Sequence, residues 1–405
     1  MFHKLFKAAS SVFTVAIMNL SVLCFTMYFG AADNIQGFSQ YILSLSLFSL
    51  AVIFFDFGLN TALVRDDSSL SNEKLKLVID SKKLISFLFF IVLSFCFSMS
   101  FLHGEVSAFS IISAIASASF YSLWLTYRVK DQINIDFSSY NKKNIQFMFL
   151  RVFSVVIFLF ANVDVSFGVF FLYGLPALLL IVDRYYFTGH LENAVRLRAS
   201  LPELGILCKY GGMVMLSALV YTVTLNSAVL FYSVYNNDEL VAAIGWAIAP
   251  VAIVSLVFTV FRPFWLSYNS RNTLNGNILL KIIATAILFI VLGLIFLFYT
   301  VKFSSSLSLI FNVPSDWIVA SNIAIILVLL NCLFGLVSAL LHKLNKPLLD
   351  LKYNFLRLIF VSLSLFFLGN DTNVVQVIST IFTIIILVEI SLCLNVYNLY
   401  RKVYY

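Results

Sequence analysis

"LAVIFFDFGLNTALVR", residues 50–65, ends a long apolar run with an acid, Asp56, and places a base, Arg65, nine residues further on. Whether Asp56 marks a helix emerging into water or belongs to a site depends on which solvent surrounds the run. The 405-residue chain is 61% hydrophobic and 11% charged, whereas soluble domains carry about 25% charged residues. That is more apolar surface than one soluble core hides, so the second solvent is lipid. Segments of roughly 20 residues with few charges, the length that crosses a bilayer core, recur along the whole chain. Twelve are read, at approximately 8–29, 38–57, 84–102, 108–127, 145–162, 167–187, 210–232, 240–261, 278–300, 317–341, 355–369 and 374–399, the eleventh being the shortest. Unpaired backbone groups in hydrocarbon cost several kcal/mol each, and nothing here alternates with the period of a barrel strand, so the spans are helices. The expected fold is an all-α integral membrane protein of twelve transmembrane helices. Two six-helix halves are expected, 1–209 with its linker and 210–405.

The start of the chain, "HKLFK" before an apolar run, looks superficially like a signal peptide. The run is too long for such a segment, and no small-residue cleavage site precedes the polar "GAADNIQG". The five cysteines, Cys24, Cys96, Cys208, Cys332 and Cys393, are scattered and odd in number, which suggests neither a disulfide framework nor a metal site.

Orientation follows from the basic residues. With twelve spans, 24 of the 26 Lys and Arg fall at the termini and inner connections, leaving Lys302 outside and Arg151 within the start of the fifth span. The outer loops carry Asp33, Glu105, Asp164, Asp238, Glu239, Asp316 and Asp371. The positive-inside rule then puts both termini in the cytoplasm. The net charge of +7 is spread over all the inner connections, which is a topology signal and not a nucleic-acid patch.

The longest connections, 58–83, 128–144 and 188–209, are too short for a soluble domain. A membrane polymerase or glycosyltransferase needs large outer loops bearing its acids, and these are short. No Walker loop, Ser/His/Asp set or metal-ligand cluster is found. A transporter is expected, not an enzyme.

The halves carry a faint parallel repeat. "FLRVFS" (149–154) opens the fifth span and "FLRLIF" (355–360) the eleventh, an offset of 206 that also carries Asp56 to Arg262 and Arg65 to Arg271. Halves related along the membrane normal place a cavity at their interface. Pro176 and Pro250 remove backbone donors inside apolar helices, where a kink is the usual result.

Twelve spans in six plus six, with "DFGLNTALVR" closing the second, resemble the polysaccharide flippases of the multidrug/oligosaccharidyl-lipid/polysaccharide (MOP) exporter superfamily, in particular the Wzx-type O-antigen flippases. "LPELGILCKYGGMVMLSALV" (201–220), "ELVAAIGWAIAPVAIV" (239–254) and "SALLHKLNKPLLDLKYNFLR" (338–357) extend the likeness over nearly the whole chain. One departure is in the seventh span, where the family often carries an acid and a base and this chain has "TLNSAVLF" with Asn226 and Ser227.

The resemblance implies a MATE-like fold in the bacterial cytoplasmic membrane. It also implies transport of an undecaprenyl-diphosphate-linked oligosaccharide repeat unit, for O-antigen or a related surface polysaccharide, by alternating access. A diphosphate cannot cross hydrocarbon unaided, and arginine forks complement it bidentately in a wet cavity while the polyprenyl tail stays in lipid. Arg151 and Arg262 are the leading contacts, with Arg65, Arg357 and Asn226 beside them. Arg151 and Arg357 sit at the starts of their spans, where snorkelling to the headgroups is the competing explanation. Glu389, inside the twelfth span, must face the bundle or be protonated, because an ionised carboxylate at a helix centre costs about 2.5–3.5 kcal/mol. Glu389 is therefore a candidate for coupling to a proton, and Asp56 a second, against its use as a helix-end ion pair with Arg65. No cofactor is expected beyond a coupling proton or sodium ion. The expected partners are the lipid-linked substrate, membrane lipids and other polysaccharide-assembly proteins, with no nucleic acid. Three alternatives stay open: a cation-coupled multidrug exporter of the same fold, a membrane polymerase or glycosyltransferase, and a passive scaffold in a biosynthetic complex.

Overall fold

The computed structural model describes residues 19–30, 34–60, 108–133, 137–161, 163–187, 197–251, 277–338, 341, 346–370 and 372–404. Every regular element among them is helical. In chain order they are α1 (19–30), α2 (Ile35–Asp56), α3 (Ala108–Ile133), α4 (Phe137–Phe160), α5 (Leu175–Phe187), α6 (Leu197–Val234), α7 (238–251), α8 (Asn277–Phe311), α9 (Ser315–Ser338), α10 (Pro347–Leu368) and α11 (Val374–Tyr404). A short 3-10 turn, Val165–Phe167, and a π-helical turn, Phe170–Gly174, lead into α5. Eight helical segments among the described residues are long and apolar enough to cross a membrane. The chain is a multi-pass membrane protein. The third expected span, 84–102, lies outside the described residues.

Three connections differ from the sequence reading. The stretch after residue 300, expected as an outer loop, continues α8 to Phe311. Two of its serines satisfy their hydroxyls on the backbone, Ser304 Oγ donating to the Val301 carbonyl at 2.9 Å and Ser308 Oγ to that of Val313 at 2.6 Å. The stop comes where Asn312 adopts φ +53° ahead of Pro314, the left-handed cap and proline that end helices. The linker 201–209 is also helical, lying within the first third of the 38-residue α6. The short eleventh span is a 22-residue helix that begins at Pro347, a residue suited to the first helical turn because its missing N–H had no intrahelical partner there.

The chain divides into two compact units, Met1–Ser21 with Gln40–Thr222 and Val22–Ser39 with Val223–Tyr405. The division falls inside α6. In the first unit α3, α4 and the π-turn–α5 segment pack together around Trp124, Phe147 and Ala177. In the second, the order of packed neighbours is α8, α9, α11, α10, with α9 against α11 about Leu330, Leu333 and Ile386. At the start of α2 in this unit, Ser39 Oγ donates to Asp238 Oδ1 of α7 at 2.5 Å.

Apolar residues also cover the outside. α4 buries Asn144, Phe147, Arg151, Ser154 and Phe158, spaced alternately by three and four, and exposes Phe149, Val152, Phe153, Val156 and Phe160. In water such an outer face would be polar; here both faces are greasy, as lipid requires.

The opening stretch finds its explanation in the backbone. α2 ends at Asp56, which is half-buried, and Phe57 and Gly58 follow with φ +48° and +63°. A Cβ on Gly58 would collide with the Gly211 carbonyl oxygen of α6, and one on Gly211 would lie 2.8 Å from the Phe57 carbonyl oxygen. Two glycines let the turn meet α6 backbone to backbone. Gly58→Ala combines that collision with a left-handed φ, which by itself costs on the order of 1–3 kcal/mol. A clear drop in thermal midpoint of the purified protein is expected; an unchanged midpoint would show that the contact is dispensable.

Candidate functional site

Among the described residues of the first unit the most deeply buried charge is Arg151. It is the fifteenth residue of α4, and its side chain is fully buried (0% exposed), packed inside the unit and not extended along its surface. Its position on the inner stripe of α4 follows from the spacing with Asn144, Phe147 and Ser154. Its Nε donates to the Leu172 carbonyl at 2.7 Å. The guanidinium carbon lies 4.8 Å from the Phe147 ring centroid and 4.6 Å from that of Tyr173, both within cation–π range. Tyr121 packs edge-on against both rings, at 5.7 and 5.4 Å, and Phe48 of α2 lies 4.4 Å from Tyr173.

This cage continues along α3 and α4. Phe147 stacks on Trp124 at 4.2 Å, Arg128 lies over Trp124 at 4.3 Å and over Tyr140 at 4.9 Å, and Arg128 Nη1 donates to Asn144 Oδ1. Beside it Lys143 pairs with Asp131, which also accepts from Ser139 Oγ at 3.1 Å. Two arginines thus alternate with aromatic rings through the unit. Arg128 was read from the sequence only as a topology charge. Its relation to Trp124 four residues earlier, on the same helix face, was the available signal.

The second unit holds a different arrangement. Arg357, eleventh of the 22 residues of α10, is buried and pairs through Nη2 with Glu389 Oε2 of α11. Its Nη1 donates to Asn354 Oδ1. Gly335 of α9 faces the acid, a Cβ built there lying in ordinary contact, 3.7 Å, with Glu389 Oε1. The structure therefore joins two residues that were assigned separate roles on sequence grounds. Asn226 is half-buried on α6 within this second unit. Arg65 and Arg262 lie outside the described residues, so the Asp56–Arg65 pairing and the second leading contact do too. Among the described residues no group of three His, Cys, Asp or Glu side chains could hold a metal ion.

Chemically, the first unit offers a fixed cation among aromatic faces and hydroxyls, and the second offers an internally neutralised pair. No protein-family model matches the chain, and no curated protein matches it. Solved structures do. An inward-facing multidrug resistance MATE family transporter of the MOP superfamily aligns over 95% of this chain and 95% of its own, with TM-score 0.63 and 14% identity. The MATE multidrug transporter DinF-BH aligns over 96% and 94%, with TM-score 0.63 and 16% identity. An outward-facing MATE family transporter of the same superfamily aligns over 98% and 94%, with TM-score 0.61 and 10% identity. The chain has the fold of the MATE transporters.

Proposed function

We propose that this protein is a membrane transporter that works by alternating access and carries an undecaprenyl-diphosphate-linked oligosaccharide repeat unit across the bacterial cytoplasmic membrane. Likeness to both inward-facing and outward-facing MATE structures supports the transport cycle. The observation that carries the cargo class is the complete burial of Arg151 in the middle of α4. An ionisable residue kept inside the membrane is costly and by default functional. A guanidinium attracts a diphosphate and repels a cationic drug, which favours the lipid-linked sugar over the multidrug alternative. The rings around Arg151 suit the apolar faces of sugars, and the tyrosine hydroxyls their polar edges.

In this reading Arg262 and Arg65 add charge to the anion path, Arg357 meets the diphosphate when its pair with Glu389 opens, and Asn226 bonds sugar hydroxyls. Glu389 takes up the coupling proton, with Asp56 the second candidate.

The test is where the lipid-linked repeat units lie in cells lacking the protein. Accumulation on the inner leaflet is expected. Single units displayed outside would point instead to a polymerase, and a purified protein that moves cationic dyes but not the lipid-diphosphate sugar would be an exporter.

A further inference from the structure

Arg128 is a buried cation that no carboxylate answers among the described residues. It is the twenty-first of the 26 residues of α3 and is 8% exposed. Its one hydrogen-bond acceptor among the described residues is Asn144 Oδ1, on the eighth residue of α4. Nε is buried without an acceptor, and so is Nδ2 of Asn144. Nη2 is neither hydrogen-bonded nor sealed in, so the guanidinium keeps one free donor that reaches the surface.

The nearest counter-charge is taken. Asp131 follows Arg128 by three residues, the spacing of a helical ion pair, yet its carboxylate is held by Lys143 Nζ and Ser139 Oγ of α4. Lys143 also donates to the Tyr127 carbonyl at 3.2 Å, so the Asp131–Lys143 pair closes on itself and leaves Arg128 over. The rings of Trp124 and Tyr140, 4.3 and 4.9 Å from the guanidinium carbon, steady the charge without neutralising it. A desolvated cation with only neutral partners is costly. What the arrangement lacks is an anion.

The position of this corner says which anion. Arg128 stands where the apolar part of α3 gives way to "RVKDQ" (128–132), and Asn144 where "SSYNKKN" (138–144) gives way to the apolar part of α4. Lys142, two residues before Asn144, is exposed. Trp and Tyr gather at such boundaries beside the lipid headgroups, and basic pockets between helices there bind headgroup phosphates. A guanidinium meets phosphate oxygens through charge-assisted hydrogen bonds.

We propose that Arg128 is a binding residue for a lipid-borne phosphate, at a subsite between α3 and α4 where Asn144 orients the guanidinium through Nη1 and Trp124 and Tyr140 steady it. The phosphate belongs to an anionic phospholipid or to a polyprenyl diphosphate, which offer the same oxygens. The subsite does not depend on the cargo proposed above.

The experiment uses the purified full chain in a detergent without phosphate, titrated separately with short-chain phosphatidylglycerol and with a short-chain polyprenyl diphosphate. Asn144→Asp keeps the size of the side chain and gives Arg128 a carboxylate within the protein. It is expected to hold or raise the thermal midpoint and yet to raise Kd about 10- to 100-fold, as loss of a hydrogen bond to a charged group does. An arginine with a purely structural role would gain the stability and leave Kd unchanged, which overturns the proposal. Arg128→Gln is expected to raise Kd by the same factor; where it does not fold, Asn144→Asp carries the test. Lys142→Gln, which removes an exposed charge from the same corner, is expected to raise Kd less than about threefold. A rise as large as that of Arg128→Gln would make binding a diffuse charge effect and overturn the subsite.

The two probes separate the sources. A loss confined to phosphatidylglycerol assigns the subsite to a membrane phospholipid, one confined to the diphosphate assigns it to the cargo, and a loss with both assigns it to the phosphate they share; each supports the subsite. An unaltered protein that binds neither probe overturns it.

Discussion

Replacing Glu389 by leucine is expected to cost about 3–5 kcal/mol of stability and to deplete the protein from the membrane, because it leaves a buried arginine without its counter-charge. Both partners sit mid-helix and nearly fully buried, Arg357 between Glu389 and Asn354. Changing both together, Arg357→Met with Glu389→Leu, is expected to return most of the loss, since apolar replacement of a whole buried pair is often close to neutral. Thermal unfolding of the purified variants and their abundance in membranes check this. A double variant as unstable as the single one would mean that the charges do not act as a pair. Glu389→Gln separates stability from coupling, because it keeps the size and an acceptor oxygen but cannot release a proton. If Glu389 carries the coupling proton, this variant transports without dependence on the proton gradient; a transport rate that follows pH as wild type does removes Glu389 from that role.

The greasy rods were legible in the sequence because composition and run length report the solvent directly. Which face of each rod points inward was far less so. In "FMFLRVFSVVIFLF" almost every residue is apolar, so no polar side marks the outside, and only Asn144, Arg151 and Ser154 betray the inner stripe of α4. The pairing of Arg357 with Glu389 was hidden for a different reason. The two residues are 32 apart in sequence and meet only because α10 and α11 pack side by side, which hydropathy does not encode. Polar runs misled in the opposite direction: "SSS" at 304–306 continues a helix because serine hydroxyls can bond back to the preceding turn. Pro176 announced a disturbed helix, but nothing in its own segment told that a base 25 residues earlier would bond to the Leu172 carbonyl beside it.

Arg151→Lys is expected to lower kcat/KM for the lipid-linked substrate by about 30- to 1,000-fold while leaving the fold intact. The charge is kept, so simple attraction of an anion survives. What disappears is geometry. A lysine ammonium is a point charge on a flexible stem, and it cannot hold the Leu172 carbonyl through one nitrogen while presenting a planar fork through two others. Losing one or two charge-assisted hydrogen bonds is worth about 2–4 kcal/mol, which is the range of rates given. The check is the rate at which lipid-diphosphate sugar becomes accessible on the far leaflet of proteoliposomes, at matched protein content. Wild-type rates in the lysine variant would remove Arg151 from the anion path. The multidrug alternative predicts the reverse trend for Arg151→Gln, since removing a buried positive charge from the first unit eases the passage of a cation. One substitution series at position 151 therefore separates the two cargo classes by the sign of its effect, whatever sugars the lipid bears.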